Sequence, residues 1–115
     1  MKLVFDIETD DLKATKIWCL VAIDETNKVY SYGPHEIDEG IKLLQSADTL
    51  IGHNIIGFDV PVIKKLMNVD LFKTCKILDT LVISRLLNPN KEGGHSLSSS
   101  LVMCAISFLA VSVEI

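Results

Sequence analysis

The sequence contains few of the residue patterns that mark several common classes of protein. The sequence has three cysteines, which is an odd number, and none of them are in C-x-x-C spacing. No disulfide framework is therefore predicted. Neither G-x-G-x-x-G nor G-K-[ST] occurs, so no phosphate loop of those kinds supports a nucleotide-binding interpretation. Positive charge is not in excess, because 11 basic and 15 acidic residues give a net charge of −4. This balance argues against a protein that holds nucleic acid through bulk positive charge.

Long hydrophobic runs are also missing. The N-terminal apolar run is interrupted by Asp6 and Glu8, so no signal peptide is predicted. The segment 101–111 has about half the length that a membrane-spanning helix needs. The hydrophobic and charged fractions, 49% and 23%, are ordinary for a globular domain. We therefore expect a single soluble domain in the cytoplasm, with no membrane partner and with reduced cysteines.

The most informative stretch is residues 3–9. Leu3, Phe5 and Ile7 alternate with polar residues at the period of two that a β-strand imposes, which puts Asp6 and Glu8 on one face. Two such carboxylates lie about 6.5–7 Å apart along a strand and raise each other's pKa unless a cation neutralises them. Oxygen ligands without a Cys or His pair favour Mg²⁺ or Mn²⁺ over Zn²⁺. The alternative is that both acids are simply solvated.

The rest of the chain predicts an α/β fold. An apolar run at 17–23 indicates a strand buried on both faces, and 29–32 indicates a second strand that pairs with it as a hairpin beside the first strand. The further predicted elements are a helix at 36–47, a strand at 49–54, a loop at 55–57, a helix at 59–67, a short strand at 77–78 and a helix at 79–87. This order predicts a mixed sheet flanked by helices, with the acidic strand in a central position.

A second polar group follows the predicted strand at 49–54. His53 and Asn54 stand at the end of that strand, and Asp59 opens a helix with Pro61 close behind. Asp is a favoured N-cap and Pro suits the first turn, so Asp59 could serve only as a helix cap. Asp79, before an apolar helix, is interpreted as a second N-cap. His53 could be a buried, hydrogen-bonded histidine.

Taken together, four blocks of sequence resemble the DEDD 3′–5′ exonuclease superfamily, the proofreading exonucleases with a ribonuclease H-like fold. The closer resemblance is to the exonuclease domain of short-tailed phage replicative DNA polymerases of the Pol I-like family (family A). The matching blocks are Val-Phe-Asp-Ile-Glu-Thr at 4–9, His-Asn at 53–54 with Phe-Asp-Val-Pro at 58–61, Leu-Asp-Thr-Leu-Val-Ile-Ser-Arg-Leu at 78–86, and Gly-His-Ser-Leu at 94–97.

This resemblance implies hydrolysis of the 3′-terminal phosphodiester by two metal ions, Mg²⁺ or Mn²⁺. Asp6, Glu8 and Asp59 would be the catalytic metal ligands. Asn54 and Phe58 would line the substrate channel, and the backbone from Thr9 would meet the terminal nucleotide. The substrate would be the 3′ end of single-stranded DNA, held by stacking and sugar–phosphate contacts. In the full-length family the partner is a polymerase domain.

The sequence departs from the family pattern after the fourth block. The family needs a fourth acid in a Tyr-x(3)-Asp or His-x(4)-Asp motif, where the Tyr or His assists the attacking water. The last Asp is Asp79, the tyrosines are Tyr30 and Tyr32, and Ser100 stands five residues after His95. We therefore expect weak or no activity from this chain.

The composition also changes near residue 99, after which the sequence is apolar without helical amphipathicity. This divides the chain into an exonuclease-like domain at 1–98, incomplete at its C-terminus, and an atypical tail at 99–115. A truncated or frameshifted gene product is our hypothesis for this change. The tail is expected either to cover exposed sheet or helix surface or to promote aggregation.

Three functional hypotheses remain open from the sequence. The first is a metal-dependent exonuclease domain, and the second is a non-catalytic remnant of that fold with weak metal or nucleic-acid binding. The third is an unrelated α/β binding domain whose acids are helix caps and surface charges.

Overall fold

The computed structural model describes residues 1–87, so the tail at 99–115 and the end of the predicted 1–98 domain lie outside the described residues. The strands are β1 (Lys2–Thr9), β2 (Ile17–Asp24), β3 (Val29–Tyr32), β4 (Thr49–Gly52) and β5 (Lys76–Asp79). The helices are α1 (Ile37–Gln45), α2 (Val60–Met67), α3 (Leu71–Thr74) and α4 (Thr80–Leu87), with a π-helical turn at Ile55–Asp59. The protein is therefore α/β, as the sequence predicts.

The five strands form one mixed sheet in the order β3-β2-β1-β4-β5. β1 pairs with β2 and β2 with β3 in antiparallel fashion, whereas β1, β4 and β5 run parallel. The predicted hairpin lies beside β1, and β1 takes the predicted central position. The carboxyl ends of β1, β4 and β5 consequently meet at one edge of the sheet, where α/β proteins place their ligands.

The main core covers the face of β1 that carries Leu3, Phe5 and Ile7, all of which are buried. α1 and α2 pack on this face because their apolar residues recur at helical spacing. Ile41 and Leu44 of α1 and Ile63 of α2 belong to the same buried cluster, which is built from these residues: Leu3, Phe5, Ile7, Ala14, Ile17, Leu20, Ala22, Ile37, Ile41, Leu44, Ala47, Leu50, Ile55, Val60, Val62, Ile63 and Leu71. A fully buried Leu or Phe side chain contributes about 1.5–3 kcal/mol to stability.

The prediction that β2 is buried on both faces is wrong. Leu20 and Ala22 are buried, but Trp18 and Val21 are 47% and 36% exposed. Although the run is apolar throughout, only one face of β2 packs against the main core, and the other face is exposed to solvent. The pairing of β1 with β2 also shifts register between Glu8 and Thr9, which interrupts the regular alternation of buried and exposed residues along β2.

Two local elements were not predicted. The sequence predicts a loop at 55–57, but this stretch belongs to the π-helical turn, in which the Val60 N–H donates to the Ile55 carbonyl. α3 is a single short turn, and the Asp70 side chain caps it by accepting from the Phe72 N–H at 3.1 Å.

α4 begins directly after β5 and packs against β4. Its buried residues are Thr80, Leu81 and Ser84. Ile51, which points to the face of β4 opposite Leu50, is also fully buried although it lies outside the main cluster. Helices thus flank the sheet, as predicted.

The cysteines that the structure describes, Cys19 and Cys75, are free and half-buried. The Cys75 thiol donates to the Leu44 carbonyl at 3.3 Å. Within residues 1–87, no helix combines the length and apolar character that crossing a lipid bilayer requires.

Candidate functional site

The two acids of β1 lie on the face opposite the main core, as the alternation predicts. Asp6 is half-buried and Glu8 is exposed, while Phe5 and Ile7 between and beside them are buried. Burial raises the pKa of Asp6, and the negative charge of Glu8 raises it further. The strand therefore holds two interacting carboxylates near its C-terminal end.

Asp59 is not a helix cap. Its backbone is helical, with φ −59° and ψ −50°, and its side chain makes no capping hydrogen bond to α2. Its Oδ2 instead accepts a hydrogen bond at 3.2 Å from the backbone N–H of Ile7, and only 3% of the residue is exposed. The π-helical turn thus turns the Asp59 carboxylate toward the end of β1, away from the first turn of α2.

Asp6 and Asp59 are close enough for their charges to interact. Burial raises the pKa of Asp59 to about 7, and the charge of Asp6 is the second cause of that rise. Asp6 is in turn influenced by Glu8, so the three carboxylates form a chain of pairwise interactions with Asp6 in the middle. A proton or a cation on this group would relieve the repulsion.

The donor set is chemically suited to Mg²⁺ or Mn²⁺, because it consists of carboxylates alone. In the part of the chain that the structure describes, no three His, Cys, Asp or Glu side chains are grouped to hold a metal ion. Glu8 is exposed, whereas the Asp59 carboxylate is hydrogen-bonded to the Ile7 N–H.

The residues that the resemblance assigns to substrate lie around this strand end. Thr9 is half-buried, and its hydroxyl donates to the Asp11 carbonyl at 2.9 Å. Asn54 is exposed and adopts a left-handed backbone, with φ 58° and ψ 30°. Phe58 is half-buried and packs against the core cluster. Asn54 precedes the π-helical turn that carries Asp59, and Phe58 lies within it. The Phe58 N–H donates to the Asn54 carbonyl at 3.0 Å.

Asp79 has a larger role than the predicted N-cap. It does cap α4, since its Oδ1 accepts from the Leu81 N–H at 2.9 Å. The same carboxylate also accepts from the N–H groups of Asn54 at 2.8 Å and Ile56 at 3.0 Å. Asp79 therefore fixes the segment between β4 and the π-helical turn, and through it the position of Asp59. Its sequence signal, Asp-Thr before an apolar helix, indicates only the cap.

His53 and Thr80 link the same two strand ends. Nδ1 of His53 lies 3.1 Å from Oγ1 of Thr80, and the Thr80 hydroxyl donates to the Gly52 carbonyl at 3.3 Å. His53 is half-buried, in agreement with a hydrogen-bonded histidine, and its charge lowers the pKa of Asp6. Nothing in the sequence pattern singles out Thr80 for this contact.

The chain was also compared with known proteins. No protein-family model matches it, and no curated protein matches it in sequence.

Proposed function

We propose that this chain is a metal-dependent 3′–5′ exonuclease domain of the proofreading type, resembling the N-terminal domain of phage family A DNA polymerases. Its substrate would be the 3′ end of single-stranded DNA. The observation that carries the proposal is the placement of Asp59. Its carboxylate is buried against the backbone of β1 and interacts with Asp6, although a helix-capping aspartate would have turned to its own helix.

The sheet supports the same interpretation. Within residues 1–87 the strand order is β3-β2-β1-β4-β5, and β2 is the strand that runs against the other four. A ribonuclease H-like domain, the finer fold that we propose, has this order and direction. The central β1 then carries the first two acids, and the segment after β4 carries the third.

Asp6, Glu8 and Asp59 are the residues that would hold Mg²⁺ or Mn²⁺. When bound, such ions stabilise negative charge on the attacking and leaving oxygens of a phosphodiester. The buried Asp59 and half-buried Asp6 fit this role, because burial first and the neighbouring negative charge second raise the pKa of each, and a bound cation would offset both effects. Thr9, Asn54 and Phe58 border the same site and would contact the terminal nucleotides.

The expected activity of these 115 residues alone is low, because they contain no Tyr-x(3)-Asp or His-x(4)-Asp motif to supply the fourth acid. The second candidate is a non-catalytic relative of the fold that binds metal or a DNA end weakly. It is favoured by the same missing motif.

The test is a nuclease assay on a 5′-labelled single-stranded oligonucleotide with Mg²⁺ or Mn²⁺. We expect slow release of nucleoside monophosphates from the 3′ end, faster with Mn²⁺, and loss of this activity in Asp6→Ala. Asp38→Ala, which removes an exposed acid in the first turn of α1, is the matched control and should retain activity. Equal residual activity in the wild type and Asp6→Ala would contradict the proposal.

A parallel melting experiment separates the two candidates. If Mn²⁺ raises the melting temperature of the wild type but not of Asp6→Ala, and neither chain hydrolyses DNA, the non-catalytic candidate is correct.

A further inference from the structure

Trp18 occupies an unusual position at the end of β2. Glu8 pairs with Cys19 and Thr9 pairs with Ile17. Two consecutive residues of β1 therefore lie opposite three consecutive residues of β2. Trp18 is the extra residue, and the irregularity is a β-bulge. Bulges are frequent beside active sites, where they redirect a side chain. Here the redirected side chain is the single tryptophan of the sequence, and it remains 47% exposed.

The bulge lies beside the acidic end of β1, because Trp18 precedes Cys19, the cross-strand partner of Glu8. Adjacent strands lie about 4.8 Å apart and residues rise about 3.4 Å along a strand, so the Cα atoms of Trp18 and Glu8 are separated by roughly 6 Å. The exposed Trp18 ring has no role in the main core, because Trp18 is not part of that cluster.

The side chain of Lys16 makes a cation–π contact with the Trp18 ring. The Lys16 ammonium lies 4.3 Å from the centroid of the Trp18 ring. It supplies positive charge at the bulge, in a chain whose net charge is −4. A polyanion approaching Asp6 and Glu8 would need such a charge nearby.

The loop before Trp18 is held in place by Asp10. The Asp10 carboxylate accepts from the backbone N–H of Thr15 at 2.9 Å and of Lys16 at 3.1 Å, and also from the Thr15 hydroxyl. The Asp10 N–H donates in turn to the Lys16 carbonyl at 3.2 Å. Lys16 and Trp18 are therefore presented by an ordered backbone, which lowers the entropic cost of binding.

We infer that Trp18 and Lys16 form a platform for single-stranded DNA, on which one base stacks against the indole while Lys16 contacts an adjacent phosphate. Stacking of bases on aromatic side chains tolerates any sequence, in keeping with a nuclease that accepts every 3′ end. This inference rests on the proposed function for its substrate, and it adds a binding residue outside the carboxylate group.

The single tryptophan makes the platform directly observable, because a stacked base quenches indole fluorescence. The full chain is titrated with oligothymidylate of about eight nucleotides, within the usual span of a single-strand site. We expect saturable quenching in the wild type. The control is Trp18→Phe combined with Phe72→Trp, which moves the indole to α3. Phe72 is 48% exposed and lies before β5. It is therefore near the N-terminal ends of the parallel strands, whereas the acids lie at their C-terminal ends.

Affinity is measured separately with a fluorescently labelled oligothymidylate. Trp18→Ala should weaken binding by about 5- to 100-fold, and Trp18→Phe by less, because a smaller ring still stacks. Lys16→Gln should reduce the salt dependence of binding. Equal quenching at positions 18 and 72, no binding by the wild type, or unchanged affinity in Trp18→Ala would each overturn the inference.

Asp6→Ala distinguishes failure of the platform from failure of the exonuclease proposal. Quenching that persists in Asp6→Ala while hydrolysis is lost supports both. Hydrolysis that depends on Asp6 without any quenching of Trp18 rejects the platform alone. Quenching with hydrolysis that is absent or independent of Asp6 rejects the exonuclease and leaves Trp18 as a DNA-binding residue.

Discussion

The Asp59 carboxylate accepts a hydrogen bond from the Ile7 N–H at 3.2 Å, joining residues that lie 52 positions apart in the sequence. This contact fixes the end of the π-helical turn to β1, next to Asp6. It is made by a residue whose pKa is raised to about 7, so the contact and its neighbouring charge are sensitive to pH.

Folding stability should therefore decrease as the pH rises toward neutrality in the absence of divalent metal. The folded chain binds the Asp59 proton more tightly than the unfolded chain, in which this pKa is near its ordinary 3.8. The stabilisation is complete below about pH 4 and is lost as the pH passes through about 7. Asp6, whose pKa is also raised, acts in the same direction. Urea denaturation with chelator at several pH values measures the effect.

Asp59→Asn is the informative variant for that measurement, because the amide keeps an acceptor for Ile7 and cannot ionise. Its unfolding free energy should change less between pH 5 and pH 7.5 than that of the wild type, and it should exceed the wild-type value at pH 7.5. Asp38→Asn serves as the exposed control. An unchanged pH slope in Asp59→Asn would show that Asp59 is not the group responsible.

The coupling between the carboxylates gives a second prediction. Asp6→Asn should lower the pKa of Asp59, because the charge of Asp6 is the second cause of its rise. Glu8→Gln should instead lower the pKa of Asp6, on which Glu8 acts directly. Carbon-13 NMR of the side-chain carboxyl groups follows both titrations separately. An Asp59 pKa that is the same in Asp6→Asn and the wild type would contradict the pairing of these two residues.

The parts of the site that depend on local periodicity can be predicted from the sequence. Asp6 and Glu8 follow from the alternation of β1, and the central position of β1 follows from the order of elements. The role of Asp59 could not be separated from a helix cap, since both require an acid at a helix start. The choice depends on the π-helical turn, which has no sequence period of its own and relies on the distant Asp79.

The bulge at Trp18 was hidden for a related reason. In the apolar run at 17–23, a strand with one extra residue and a strand buried on both faces have the same composition. The difference is set by cross-strand pairing with β1, which a single sequence does not specify. Exposure of Trp18 therefore became visible only in the structure.

Gly52 is predicted to tolerate no side chain. A Cβ at this position would lie 2.3 Å from Cγ2 of Ile55 and 2.9 Å from the backbone carbonyl oxygen of Phe5. Gly52→Ala must therefore displace β4 or the π-helical turn and should destabilise the chain by about 1–3 kcal/mol. Gly33→Ala is the control, because its Cβ would meet only Glu36, at 3.5 Å. Thermal denaturation of both variants checks the prediction, and equal melting temperatures would refute it.

Asp79→Asn should loosen the site without touching a proposed ligand. The carboxylate accepts from Asn54 and Leu81 at Oδ1 and from Ile56 at Oδ2. In the asparagine amide only the oxygen accepts hydrogen bonds. At least one of the three backbone N–H groups must therefore face the NH₂ group, at a cost of about 2 kcal/mol. Amide hydrogen exchange should rise at Ile56 more than at Leu81, because rotation of the amide can preserve the two bonds to its oxygen. If exchange at Ile56 is unchanged while overall stability falls, Asp79 acts only as the cap of α4. If both change, the Asp79 carboxylate also holds the backbone at Ile56, within the π-helical turn that carries Asp59.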